Sequence, residues 1–126
     1  ARREGRENTA TAGELVRLLA AIHRGEACGA KCTRDTIRIL ALPKQSPLRR
    51  ALPPSVRAAS KGGSLEGIRV DAGIVFARRH PFAIAVMTSQ ASNENAAEET
   101  IESITRAAYE YFDRLARASR HGRLNE

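Results

Sequence analysis

The chain has 126 residues, of which 42% are hydrophobic and 28% charged, and it carries a formal net charge of +7. Those proportions exclude a disordered polymer, and a chain this long buries roughly two thirds of its unfolded surface, enough for one core. No apolar run approaches the roughly 20 residues of a membrane span, and a chain that opens on Ala1 with Met87 as its one methionine reads as a processed or clipped piece of a longer polypeptide.

Residues 1–8 are polar and aperiodic and read as a loop. Thr11 and Glu14 have capping-box spacing, and Leu15, Leu18, Leu19 and Ile22 follow at the spacing of a buried helical stripe, with Gly25 as the stop. A second helix is expected from near Thr33, turning Ile37, Leu40 and Ala41 inward and ending at Pro43. Pro43, Pro47, Pro53 and Pro54 mark an irregular connection. Val56 to Leu65 is the first strand, interrupted by Gly62-Gly63. Ile68, Val70, Ala72, Ile74 and Phe76 alternate with Arg69, Asp71, Gly73 and Val75, the period of a second strand. Arg78-Arg79-His80-Pro81 connects it to Phe82–Thr88, whose unbroken apolar character predicts a strand covered on both faces. Ser92 or Asn93 caps a last helix with the stripe Ala97, Ile101, Ile104, Ala108, Phe112 and Leu115. The order predicts one α+β unit: helical and connecting segment 1–55, three-stranded antiparallel meander 56–90, helix 92–118 and polar tail 119–126.

The basic side chains are nearly all arginine, spread along the whole length, and aromatics make up only 4%, with no tryptophan. Few platforms exist for stacking bases, so the charge reads as a generally basic surface and no nucleic-acid partner is expected; a basic α+β nucleic-acid-binding module is the alternative from another class. Cys28 and Cys32 have only His23 nearby, one ligand short of the usual zinc set, so no metal is expected. A disulfide across this short loop is one reading of the pair; two ordinary thiols are the expectation. His23, His80 and His121 have no acid–base constellation around them.

The most informative stretch is Lys61-Gly62-Gly63-Ser64. Glycines inside a strand mark places where another group approaches the backbone. A ligand lying edge-on could pair with this main chain as an added strand, meeting the Lys61 charge and the Ser64 N–H. A β-bulge with an exposed lysine is the bland alternative. With Arg69 and Asp71-Ala72-Gly73 after it, the stretch resembles the third active-site motif and following strand of the class A β-lactamase-like serine hydrolases, a superfamily that includes the penicillin-binding proteins. Asn8-Thr9-Ala10-Thr11 with the helix Leu15 to Ile22 resembles the segment just after the same family's Ω-loop, and Leu52-Pro53 and the long last helix also fit its order of elements.

The resemblance implies a role for each matching position. Lys61 would hold the substrate carboxylate and tune the catalytic hydroxyls. The Ser64 N–H would be one of two oxyanion-hole donors, Gly62 and Gly63 would line the substrate, and Arg69 would reach the substrate carboxylate with its guanidinium fork. For Arg69 a surface ion pair with Asp71 or Glu66 is the equal alternative. Gly62 stands where the family has a hydroxyl residue, which sets efficient β-lactam hydrolysis against a D-alanyl peptidase, transpeptidase or other amidase activity. Neither Ser-x-x-Lys nor Ser-x-Asn occurs in the chain. Glu4-Gly5-Arg6-Glu7-Asn8 mimics the family's Glu-x-x-x-Asn, but the threonines follow too closely for that alignment. The resemblance therefore implies the C-terminal half of the fold, inactive alone, needing no cofactor. It would associate with a complementary N-terminal chain or segment carrying the nucleophilic serine, act on a small amide or β-lactam, and reside in the periplasm or outside the cell.

Overall fold

A capping box opens the first helix, α1 (Ala12–His23): the Thr11 hydroxyl accepts from the Glu14 N–H, and the Glu14 carboxylate accepts from the Thr11 N–H at 2.7 Å. The computed structural model describes residues 9–90 and 93–118. Both reciprocal bonds satisfy amide donors that the first helical turn leaves open. Replacing Thr11 with alanine is expected to lower stability by about 1 kcal/mol, read as a drop in the thermal midpoint of the full chain. Gly25, at φ +75°, turns the chain out of the helix.

The second helix, α2, runs Gly29–Leu40 and begins earlier than the expected Thr33. Its start is fixed by a Cys28–Cys32 disulfide, so the expectation of two free thiols is corrected. Cys28 is the N-cap residue and makes no side-chain capping bond. The proline-rich connection is not wholly irregular: Pro47–Arg50 forms one helical turn, α3, with Pro47 in its first turn and Ser46 as N-cap, accepting from the Arg49 N–H. Pro fits this place because its missing N–H would be unpaired anyway.

Three antiparallel strands follow as a meander in the order β1 (Ala58–Leu65), β2 (Ile68–Val75), β3 (Phe82–Thr88). The first starts at Ala58, not Val56, and turns into β2 through Glu66-Gly67, where Gly67 has φ +69°. The register pairs Ser60 with Gly73, Lys61 with Ala72, Gly62 with Asp71 and Ser64 with Arg69. Asn93 caps the last helix, α4 (Glu94–Arg117), accepting from the Asn95 and Ala96 amides. Ser92, residues 1–8 with the Glu4–Asn8 motif, and the tail 119–126 with His121 lie outside the described residues.

Helices cover both faces of the sheet. On one face, Leu48, Leu52, Ala58, Val75, Phe82, Ile84, Val86 and Ile101 form a core closed by α3 and α4, and Phe82 stacks on Phe112 with ring centroids 4.4 Å apart. On the other, Leu19, Ala72 and Ile74 pack with Leu15, Ile22 and Ile37 of α1 and α2. Arg50 ties α3 to α4 through Glu98 and Glu102. The expected stripe of α4 is partly rotated: Ala97, Ile101, Thr105 and Ala116 are buried, whereas Ile104 and Leu115 are exposed. β3 is buried at Phe82, Ile84 and Val86 only; Met87 on its other face is exposed, so that strand is not covered on both sides along its length.

The alternation in β2 does not separate a wet face from a dry one. Asp71 through Val75 is continuously buried, because the middle strand is sandwiched between α4 and α1.

Candidate active site

β1 is an edge strand, and its residues alternate in which side their backbone groups face. The Arg57 carbonyl accepts from the Phe76 N–H, which sets the odd-numbered residues toward β2. The even-numbered residues therefore face the free edge. Their carbonyls meet side chains there: Arg49 donates to Ala58 O, Lys44 to Ser60 O at 2.6 Å, and Lys61 to Gly62 O. By the same alternation the Ser64 N–H points outward, away from the ladder. Its amide is available to a group outside the sheet without breaking a β1–β2 bond.

Beside this edge lies a groove of about 610 Å³ lined by Lys44, Ser46, Lys61, Gly62, Gly63, Ser64, Arg69 and Glu98, among others. The sequence-predicted site residues Lys61, Gly62, Gly63, Ser64 and Arg69 all reach it. Lys61 is exposed and opposes Ala72, so it rises on the α1–α2 face of the sheet. There it also borders an apolar depression of about 360 Å³ formed with Leu15, Leu18, Leu19, Ile22, Leu40, Val70 and Ala72. Gly62 and Ser64 lie on the opposite face, with Asp71 and Arg69.

Arg69 is held on three sides. Its guanidinium donates to Leu65 O at 3.0 Å and Ile68 O at 2.9 Å and pairs with Glu94 in the first turn of α4. Neither Asp71 nor Glu66 is its partner. Glu94 comes from a helix far along the chain, so no local spacing pointed to it.

Neither glycine of the motif is demanded by packing among the described residues. A Cβ at Gly63 would meet nothing within 4 Å, and one at Gly62 would stand 3.7 Å from Val70 O and 4.0 Å from Asp71 Oδ1, ordinary contact. The emptiness of the strand at these positions is therefore open to an incoming group.

Beneath Gly62 sits a polar cluster that sequence reading did not single out. Asp71 is fully buried; its Oδ2 accepts from the Leu48 N–H at 3.1 Å, while its Oδ1 and the buried Ser60 hydroxyl have no partner. Burial pushes the Asp71 carboxyl above its ordinary value, opposed by the Leu48 amide, the Ser46 hydroxyl, the Ala72 amide and the Lys44 charge. Burial, followed by the Arg49 charge, pushes the half-buried Lys44 below the usual lysine range. The one hint of this cluster in the sequence was a carboxylate among the apolar residues Val70, Ala72, Ile74 and Val75 of its strand.

Because the folded state binds the Asp71 proton more tightly than the unfolded chain, stability contributed by this group is complete below about pH 4 and is lost as pH rises through the raised folded value. Asp71→Asn, which can still accept from Leu48, is expected to gain on the wild type in denaturant midpoint as pH climbs through that window. A difference between the two proteins that stays constant with pH rejects this.

Compared with protein families, residues 1–112 match the β-lactamase enzyme family (Beta-lactamase2). The chain belongs to that family. Among solved structures, it is similar to a β-lactamase from Sphaerobacter thermophilus at 27% identity and a TM-score of 0.79, over 86% of this chain and 42% of that one. The extended-spectrum β-lactamase TLA-1 matches at 25% identity and a TM-score of 0.76, over 82% of this chain and 42% of its own. PBP-A shares the fold at 22% identity and a TM-score of 0.73, over 79% of this chain and 38% of its own. No curated protein sequence matches significantly. The chain thus spans about two fifths of the solved structures it resembles, and its α+β sheet with packed helices is that part of the β-lactamase fold. No helix among the described residues is long and apolar enough to cross a membrane.

Proposed function

We propose that this chain is the C-terminal part of a serine hydrolase, supplying the rim strand and one oxyanion-hole donor to a site whose nucleophile comes from a complementary N-terminal chain or segment with Ser-x-x-Lys. The observation that carries this reading is the outward-facing amide of Ser64, two residues along the same strand edge from the Gly62 carbonyl that the Lys61 ammonium contacts, where the edge opens into a groove. The serine oxygen would attack the carbonyl carbon of a β-lactam or amide. Negative charge then builds on the carbonyl oxygen, where the Ser64 N–H stabilises it. The C–N bond breaks, the amine leaves with a proton, and water hydrolyses the acyl-serine ester. Lys61 would attract the substrate carboxylate. Arg69, already engaged by Glu94, would contribute positive potential and a firm floor at the end of the groove.

The same reading accounts for the apolar depression and the exposed Leu18 and Met87 on the α1–α2 face, which are the surface a serine-bearing segment would cover. A periplasmic or secreted location goes with this function, and the Cys28–Cys32 disulfide is compatible with an oxidising compartment. Gly62 favours keeping a D-alanyl peptidase or transpeptidase as the second activity of the same site, because a hydroxyl that would bind the substrate carboxylate is lacking there. A fluorescent penicillin and a chromogenic cephalosporin test the proposal on the assembled protein: turnover means a β-lactamase, stable labelling means a peptidase or transpeptidase. Absence of both reactions refutes the hydrolase reading.

A further inference from the structure

The free edge of β1 is closed along its first half by two cations that do the same job. Lys44 Nζ donates to Leu40 O and to Ser60 O, both at 2.6 Å. Arg49 donates to Ala41 O at 3.3 Å and to Ala58 O. Leu40 and Ala41 end α2, where the last carbonyls have no intrahelical partner and the helix dipole favours positive charge. Each cation therefore joins an open carbonyl of the helix end to an open carbonyl of the strand edge. Lys61 differs: it is exposed, and its one hydrogen bond among the described residues is to the carbonyl of its own neighbour, Gly62, so it can turn toward a ligand.

We propose that Lys44, with Arg49 beside it, is a positioning residue that fixes the Lys61–Ser64 rim of β1 against α2 and confines strand pairing by a bound substrate to the edge beyond Ser60. The proposal rests on the reading of that rim as a substrate site. An added strand needs edge carbonyls as acceptors, and those of Ala58 and Ser60 are already taken. Pairing can begin at Gly62 once the exposed Lys61 turns its ammonium from the Gly62 carbonyl to the ligand. Lys44 acts immediately upstream of Lys61, so releasing it frees the segment that carries both the ammonium and the Ser64 amide. Small displacements of such groups cost rate more than binding.

In the full chain assembled with the serine-bearing segment, Lys44→Met is expected to lower kcat for a chromogenic cephalosporin about tenfold while KM stays within about twofold. Lys44→Arg keeps a cation on both carbonyls and is expected to restore most of kcat. Backbone amide exchange reads the same effect without turnover: in Lys44→Met, Lys61 and Gly63 should exchange about tenfold faster, with Ile84 and Val86 of the β2–β3 ladder unchanged. Wild-type exchange at Lys61 and Gly63 in Lys44→Met overturns the proposal, as does a loss of kcat that Lys44→Arg fails to restore. A wild-type protein that neither turns over nor takes the penicillin label defeats the hydrolase reading instead, and the exchange result still decides the positioning role.

Discussion

Ser64→Pro in the assembled protein is expected to slow acylation by a fluorescent penicillin about 10²–10³-fold, because it deletes one oxyanion-hole donor. The substitution suits the test because of where this amide points. Proline is tolerated on an edge strand when the N–H it removes faces outward, and the alternation fixed by Arg57, Ser60 and Ala58 puts the Ser64 N–H on that side. Gly63 before it accepts the extended backbone that precedes proline. Folding should therefore survive, with a thermal midpoint near the wild type. Ser64→Ala retains the amide and should acylate at close to the wild-type rate, since the side chain is exposed and has no assigned role. A proline variant that labels as fast as the wild type would show that this amide does not face the reacting carbonyl.

The second large effect concerns stability. Gly73 opposes Ser60 across β1–β2, and a Cβ placed on it would stand 2.8 Å from Ala59 O, 2.8 Å from Ser60 Cβ and 3.0 Å from Ser60 Cα. Two of those three atoms are backbone, and Ser60 is fully buried, so nothing flexible can yield. Gly73→Ala must push the two strands apart at the middle of the sheet, at an expected cost of about 2–3 kcal/mol. For a chain of this size that lowers the thermal midpoint by about 10 °C. Gly63→Ala is the matched control, because its Cβ meets open space and its strand is at the edge; it should change the midpoint by no more than about 2 °C. Equal midpoints for the two variants would mean that the sheet relaxes around Gly73 more easily than its packing implies.

Both predictions turn on glycines and amides that look alike in the sequence. Lys61-Gly62-Gly63-Ser64 was legible as a motif, and the order of helices and strands around it was legible as well. The capping box at Thr11 and Glu14, the stop at Gly25, the period of β2 and the Asn93 cap all depend on residues a few positions apart, whose interactions are set by backbone geometry alone. The start of α2 was less legible. A bond between Cys28 and Cys32 holds its first turn, and whether two thiols join depends on the chain geometry that brings them together.

What the residues determined by themselves was therefore the inventory of elements and the placement of a β-lactamase-like motif on the first strand. The tertiary structure decided which edge of that strand is free, that Asp71 is fully buried, and that Lys44, Arg49 and Glu94 surround the rim. The Lys44–Ser60 and Leu48–Asp71 hydrogen bonds join residues 16 and 23 positions apart, and Arg69 reaches Glu94 from another element altogether. Such pairs are fixed by how helices settle on both faces of a sheet, a choice made by the summed burial of many side chains rather than by any short run of sequence.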